Sequence, residues 1–120
     1  MANQMVSDFE LAKLNLTVGD DDSTSLGLIL SHANTTLWLT SDGSVTITVP
    51  HSSTVDFPTG TTIRVMQGGD ATAVNFVAAE NVQLRSKSGY VKMAGAWAVV
   101  MLVKFQPNEW LLYGDLIASS

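Results

Sequence analysis

A chain made of strand-forming runs, cut at short intervals by turn formers, can fold only as layered β-structure. From residue 24 onward this sequence is built that way. In "SVTITVP" (Ser44 to Pro50), Val45, Ile47 and Val49 fall on one side and Thr46 and Thr48 on the other, the period of two of a half-buried strand. "TTIRVMQ" repeats the pattern, with Ile63 and Val65 opposed to Arg64 and Met66. "SLGLILS", "TTLWLT", "AVNFVA", "VQLRS", "YVKMA" and "EWLLYGD" are further short runs, separated by "SDG", "FPTG", "GGD", "KSG" and "QPN". "SDG" between two such runs predicts a hairpin. "AWAVVMLVKF" is too apolar for a half-exposed strand and is expected to be covered on both faces. The rhythm of about nine strands every eight to twelve residues predicts an all-β fold, an antiparallel β-sandwich or jelly-roll-like barrel.

The first residues follow a different rule. Residues 1–23 are expected to form an N-terminal arm, and residues 24–120 the β-sandwich domain. "SDFELAKLNL" suits a short helix with Ser7 as N-cap and Glu10 at the capping-box position. "VGDDDSTS" is a loop of turn formers and solvated charge. Asp8, Glu10, Asp20, Asp21 and Asp22 against Lys13 give residues 1–22 a net charge of −4, out of −5 for the whole chain. Phe9, Leu11, Leu14 and Leu16 are the arm's apolar residues and its candidate partner-binding anchors. An extended segment of this kind can add to the edge of a partner's sheet.

Composition narrows the function. Charged residues are 14% of the chain and apolar residues 46%, whereas soluble domains usually carry about a quarter charged residues. So little charge leaves apolar surface to be covered by another subunit or a larger assembly. No basic stripe follows a phosphate backbone, so no nucleic-acid partner is expected. The longest apolar run, Ala96 to Val103, is too short to span a bilayer, and no membrane partner is expected. The opening "MANQMVSDFELAK" has no apolar core of a secretion signal, so synthesis in a cytoplasm is expected. The absence of cysteine removes disulfides and thiolate chemistry.

Candidate chemistry is sparse. His32 and His51 are the only histidines and form no His-x-His pair, so ordinary surface histidines outweigh a metal centre. Asp20 to Asp22 offer carboxylates for calcium, but lack the spacing of an EF-hand loop. No Gly-x-Ser-x-Gly elbow is present. Asp56, Asp70, Glu80 and Asp115 lie in or beside turns without a visible pairing, and Asp115 suits a turn cap better than a proton donor. Trp38, Trp97 and Trp110 would make a sugar platform if exposed, but each lies among aliphatics and is expected in the core. The reading is of a non-enzyme with no catalytic residue, no metal and no cofactor.

"TITVP", "FPTGTTIRVMQGG", "VNF" and "WLLYGDL" occur in this order over residues 44–116. The ordered set resembles a β-domain of tailed-bacteriophage virion proteins, found in tail-fibre tips and small head proteins. The resemblance implies a virion structural protein, usually a homotrimer, without catalysis. A β-domain with only a short arm before it is similar to a capsid decoration (cement) protein, whose partner is the major capsid protein of the head surface. The alternative is a tail-fibre or receptor-binding tip domain that recognises the host surface.

Overall fold

The computed structural model describes residues 17–18, 25–39, 43–68 and 73–118. Eleven strands are assigned among them: β1 (Thr17–Val18), β2 (Ser25–Gly27), β3 (Thr36–Leu39), β4 (Ser44–Val49), β5 (Thr62–Gln67), β6 (Ala73–Ala78), β7 (Gln83–Ser86), β8 (Lys92–Met93), β9 (Val99–Gln106), β10 (Glu109–Gly114) and β11 (Leu116–Ile117). The only helical pieces among the described residues are two single 3-10 turns, Leu30–His32 and Lys87–Gly89. The fold is an all-β sandwich. A six-stranded sheet in the order β1-β3-β5-β9-β10-β7 packs on a five-stranded sheet in the order β11-β8-β6-β4-β2.

The expectation of antiparallel pairing is corrected. Of the nine strand pairings among the described residues, five are parallel: β1 with β3, β3 with β5, β2 with β4, β4 with β6, and β7 with β10. The sheets are mixed, and neither closes into a barrel. The cause is the route of the chain. Up to β9, each successive strand lies in the sheet opposite to its predecessor, so from β1 to β6 the neighbours within a sheet are strands two apart in sequence. The "SDG" segment is therefore no hairpin: β3 and β4 belong to different sheets. "QPN" is one: Asn108, at φ 54°, turns the chain from β9 back into β10, with Glu109 opposite Gln106. The Asn108 side chain also ties down a distant loop, with Oδ1 accepting from the Ser52 N–H at 2.8 Å and Nδ2 donating to Ser52 Oγ at 3.1 Å.

Alternation places the core. Leu37, Leu39, Ile63, Val65, Val100, Leu102, Trp110 and Leu112 from the six-stranded sheet meet Val45, Ile47, Val49, Val74, Phe76 and Met93 from the other. All are buried, and each such side chain contributes about 1.5–3 kcal/mol by leaving water. Phe57, in the loop between β4 and β5, packs edge-on against Trp110, with ring centroids 5.4 Å apart at 89°. That is the favoured geometry for two aromatic quadrupoles.

One inward position of β9 is charged. Lys104 is buried, and its Nζ donates to the Phe57 carbonyl at 2.5 Å. The loop is thus pinned to the strand by an ammonium whose stem fills the core. Asp56 Oδ1 stands 3.7 Å from Nζ, but its side chain is mostly exposed and adds little. Replacing Lys104 by Met removes the donor and leaves a carbonyl unpaired, with an expected loss of about 1–3 kcal/mol. Asp56→Asn should stay within about 0.5 kcal/mol. Urea unfolding of the two variants measures both.

Candidate functional site

The two outer faces of the sandwich differ in kind. On the five-stranded sheet, the register runs Ser25, Thr46, Asn75, Lys92 and Ile117 across one row, a largely polar line, with Val77 and Ile117 the large apolar residues exposed on that face. The six-stranded sheet carries Trp38, Met66 and Val99 in one row, Thr36, Arg64, Met101 and Tyr113 in the next, and Thr62, Val103, Leu111 and Arg85 in a third. Phe105 continues the outer side of β9 and is 42% exposed, and Tyr113 is 47% exposed. This is an apolar field across four adjacent strands, with Arg64 near its middle. Large apolar patches of this kind on a folded protein mark interaction surfaces.

The expected strand "AWAVVMLVKF" begins later than its sequence suggests. Ala96 and Trp97 form a turn, and β9 starts at Val99. Its inner side, Val100, Leu102 and Lys104, is buried; Val99 and Phe105 are exposed on its outer side, and Met101 and Val103 are half-buried. Within one copy the strand is covered on one face, not on both.

The tryptophans divide. Trp110 is in the core, as expected. Trp38 and Trp97 are not, because alternation turns Trp38 outward and Trp97, 61% exposed, occupies a turn at φ 67°. Both flank the same end of the sheet. The Trp97 N–H donates to the Gln67 carbonyl at 2.8 Å, and the Trp38 indole lies against Gly68.

Among the described residues, no group of three or more His, Asp and Glu side chains comes together. His32 is buried, contrary to its reading as a surface residue, and its Nδ1 accepts the Ile29 N–H at 3.1 Å. It closes a single 3-10 turn. His51 Nδ1 accepts the Ser53 N–H at 3.1 Å, with the Ser53 hydroxyl 3.0 Å away. These two residues line a shallow cleft of about 310 Å³ with Thr54, Glu80 and Asn81. No hydrogen bond links Glu80 to His51 among the described residues, so the Ser–His contact has no orienting carboxylate. A second cleft, of about 300 Å³, is lined by Lys87, Ser88, Tyr90, Tyr113 and Gly114. Asp115 caps a turn: its Oδ2 accepts from the Val99 N–H at 3.4 Å, and its own N–H donates to the Val99 carbonyl at 3.1 Å. The arm anchors Phe9, Leu11, Leu14 and Leu16, the short helix at Ser7, the acidic triplet Asp20–Asp22 and Asp70 lie outside the described residues.

Compared with known protein families, curated proteins and solved structures, the chain matches none.

Burial holds the His32 imidazole below its ordinary pKa of 6.5, because the charged form loses hydration and Nδ1 can no longer accept the Ile29 N–H. The unfolded chain therefore binds this proton more readily than the folded one. The stability that neutral His32 supports is complete above pH 6.5 and declines as the pH falls below it. Denaturant midpoints measured from pH 7.5 down to 5 should drop. In His32→Gln, which keeps an acceptor but does not titrate, that part of the drop should vanish.

Proposed function

We propose that this chain is a non-enzymatic structural protein of a virion, a capsid decoration protein that sits on the phage head as a homotrimer and stabilises the shell. The observation that carries the reading is the apolar outer face of the six-stranded sheet, set against a polar face on the other sheet. Val99, Met101, Val103, Leu111 and Tyr113 face outward together on one sheet of a chain with few charges, and a neighbouring copy supplies their cover. The ordered segments "TITVP", "FPTGTTIRVMQGG" and "WLLYGDL" support the same assignment by resemblance. The shell partner is the major capsid protein.

A second reading, a receptor-binding tip domain, draws on the cleft between Tyr90 and Tyr113. Exposed tyrosines beside Lys87 and Ser88 have the stacking surfaces and polar groups that sugars use. Copy number separates the two readings. Decoration requires hundreds of copies on each particle, a tip a few dozen at most.

Met101 lies in the middle of the apolar field, so Met101→Glu puts a charge where a partner must sit while leaving the inward residues of β9 unchanged. The trimer should weaken by about 30-fold or more, the scale of a central interface residue, with β-sheet circular dichroism preserved. Heads lacking the native protein should bind the wild type to saturation and the variant poorly. A wild-type chain that is monodisperse and monomeric at micromolar concentration, or that leaves such heads bare, overturns the proposal.

A further inference from the structure

The six-stranded sheet ends in two open edges, and these edges are complementary. At one end lies β1, a two-residue strand paired only with β3, and the sixteen residues before Thr17 continue from it. At the other end lies β7, paired with β10 on one side and with no strand beyond it among the described residues. The Gln83 N–H donates to the Asn108 carbonyl at 2.9 Å, so Gln83 faces β10. Alternation along the strand then turns the backbone groups of Leu84 and Ser86 to the open side. Open edges of this kind are templates for a further strand.

We infer that residues 9–16 of one copy, continuing β1, pair with the β7 edge of the next copy, so that the six-stranded sheets run on from subunit to subunit around a closed ring. Four observations point to this occupant. The described chain begins on the edge opposite β7, so an arm leaving it in the plane of the sheet meets a neighbour rather than its own β7. To reach its own β7 the arm would have to cross the face of its sheet, roughly 24 Å for five strand spacings, with backbone that pairs with nothing on the way. Charge agrees. Arg85, already paired with Glu109 at 2.9 Å, and Lys87 stand at the β7 end, while Asp8 and Glu10 against Lys13 give residues 1–16 a net charge of −1. Direction agrees too, since every strand of this sheet except β9 runs the same way. A rotation axis along the strands brings the arm parallel to β7, as β10 already is. Finally, Phe9, Leu11, Leu14 and Leu16 supply apolar side chains for both sides of the added strand.

Such a head-to-tail contact is heterologous and forms a ring where the rotation closes. Sheets joined edge to edge in a ring turn one face toward its centre. Turned inward, the face of Met66, Met101, Val103 and Tyr113 is covered by its counterparts in the other copies. This inference rests on the homotrimer proposed above, but assigns the arm to a neighbouring copy instead of to the shell.

Cross-linking in the full chain tests it. The sequence has no cysteine, so Leu14→Cys and Gln83→Cys placed together in one chain are the only thiols. With a flexible bifunctional maleimide, each copy should bond to the next and give a covalent trimer on a denaturing gel, whereas neither single variant should. Products confined to one chain, or no product, overturn the inference. A second full-length variant, Lys13→Pro with Leu14→Pro, removes two consecutive N–H groups, one of which must face any partner strand. Its trimer should dissociate at least tenfold more readily. Trimer affinity within threefold of wild type would also overturn the arm's role. Occupancy of undecorated heads, measured on the same proteins, keeps the two ideas apart. Covalent trimers that ignore heads leave the arm exchange standing and sink the decoration role. Decorated heads without inter-chain bonds do the reverse.

Discussion

Each time the chain leaves one sheet for the other, it must arrive with the correct parity. A strand that enters one residue out of step shows its polar side to the core. Nine of the ten successive strand-to-strand connections cross between sheets, so this condition is imposed at almost every loop. The inward sets Val45, Ile47, Val49 and Ile63, Val65 meet it because the loop between β4 and β5 is fixed at several points. Lys104 holds Phe57 by its carbonyl, Asn108 holds Ser52 on both polar atoms, and the Thr61 hydroxyl donates to Pro58 O at 2.6 Å. Gly114 does the same at the crossing from β10 to β11. Its φ is 130°, and a Cβ there would lie 2.6 Å from the Val99 carbonyl oxygen, so no other residue lets the two backbones approach so closely.

Crossing at every loop has a consequence for pairing. From β1 to β6, strands two apart in sequence become neighbours and run parallel, as in a coil wound around a flattened core. β9 and β10 interrupt the coil with a hairpin whose strands pair over their whole length. The interruption leaves β7 on the rim, beside β10, with one side open. It also brings β9 and β10, both with apolar residues on their outward sides, next to each other in one sheet. The rim and the outer apolar field therefore share a single origin in the order of the strands.

How much of this was legible in the sequence depends on what each signal measures. Period-two alternation located β4 and β5 and set Val45, Ile47 and Val49, and Ile63 and Val65, on the inward side. It carries no information about the partner strand, because a parallel and an antiparallel neighbour both demand the same alternation. "SDG" and "KSG" marked genuine breaks, yet a turn signal does not say whether the chain returns in the same sheet. The aliphatic neighbours of Trp38 and Trp97 point both to the core, and parity and position overrule them. Trp38 shares its strand with the buried Leu37 and Leu39 but has the opposite parity, and Trp97 precedes its strand altogether. His32 went unrecognised as buried, since its role depends on a 3-10 turn with no sequence period. The apolar outer side of β9 was visible, as a run with too few polar residues for one wet face.

Arg64 sets a condition on any surface that would cover the outer field. It is exposed, between Thr36 and Met101 in the central row. A surface that covers this row must offer the guanidinium an acceptor, because a desolvated charge left unpaired is heavily penalised. The surrounding Met66, Met101, Val103 and Tyr113 supply non-directional attraction that many apolar surfaces would satisfy. One fixed charge among them converts that attraction into a choice, since partners without a matching acceptor pay for Arg64 what they gain from its neighbours. In the homotrimer proposed above, the neighbouring copy that covers this row must therefore present an acceptor opposite Arg64.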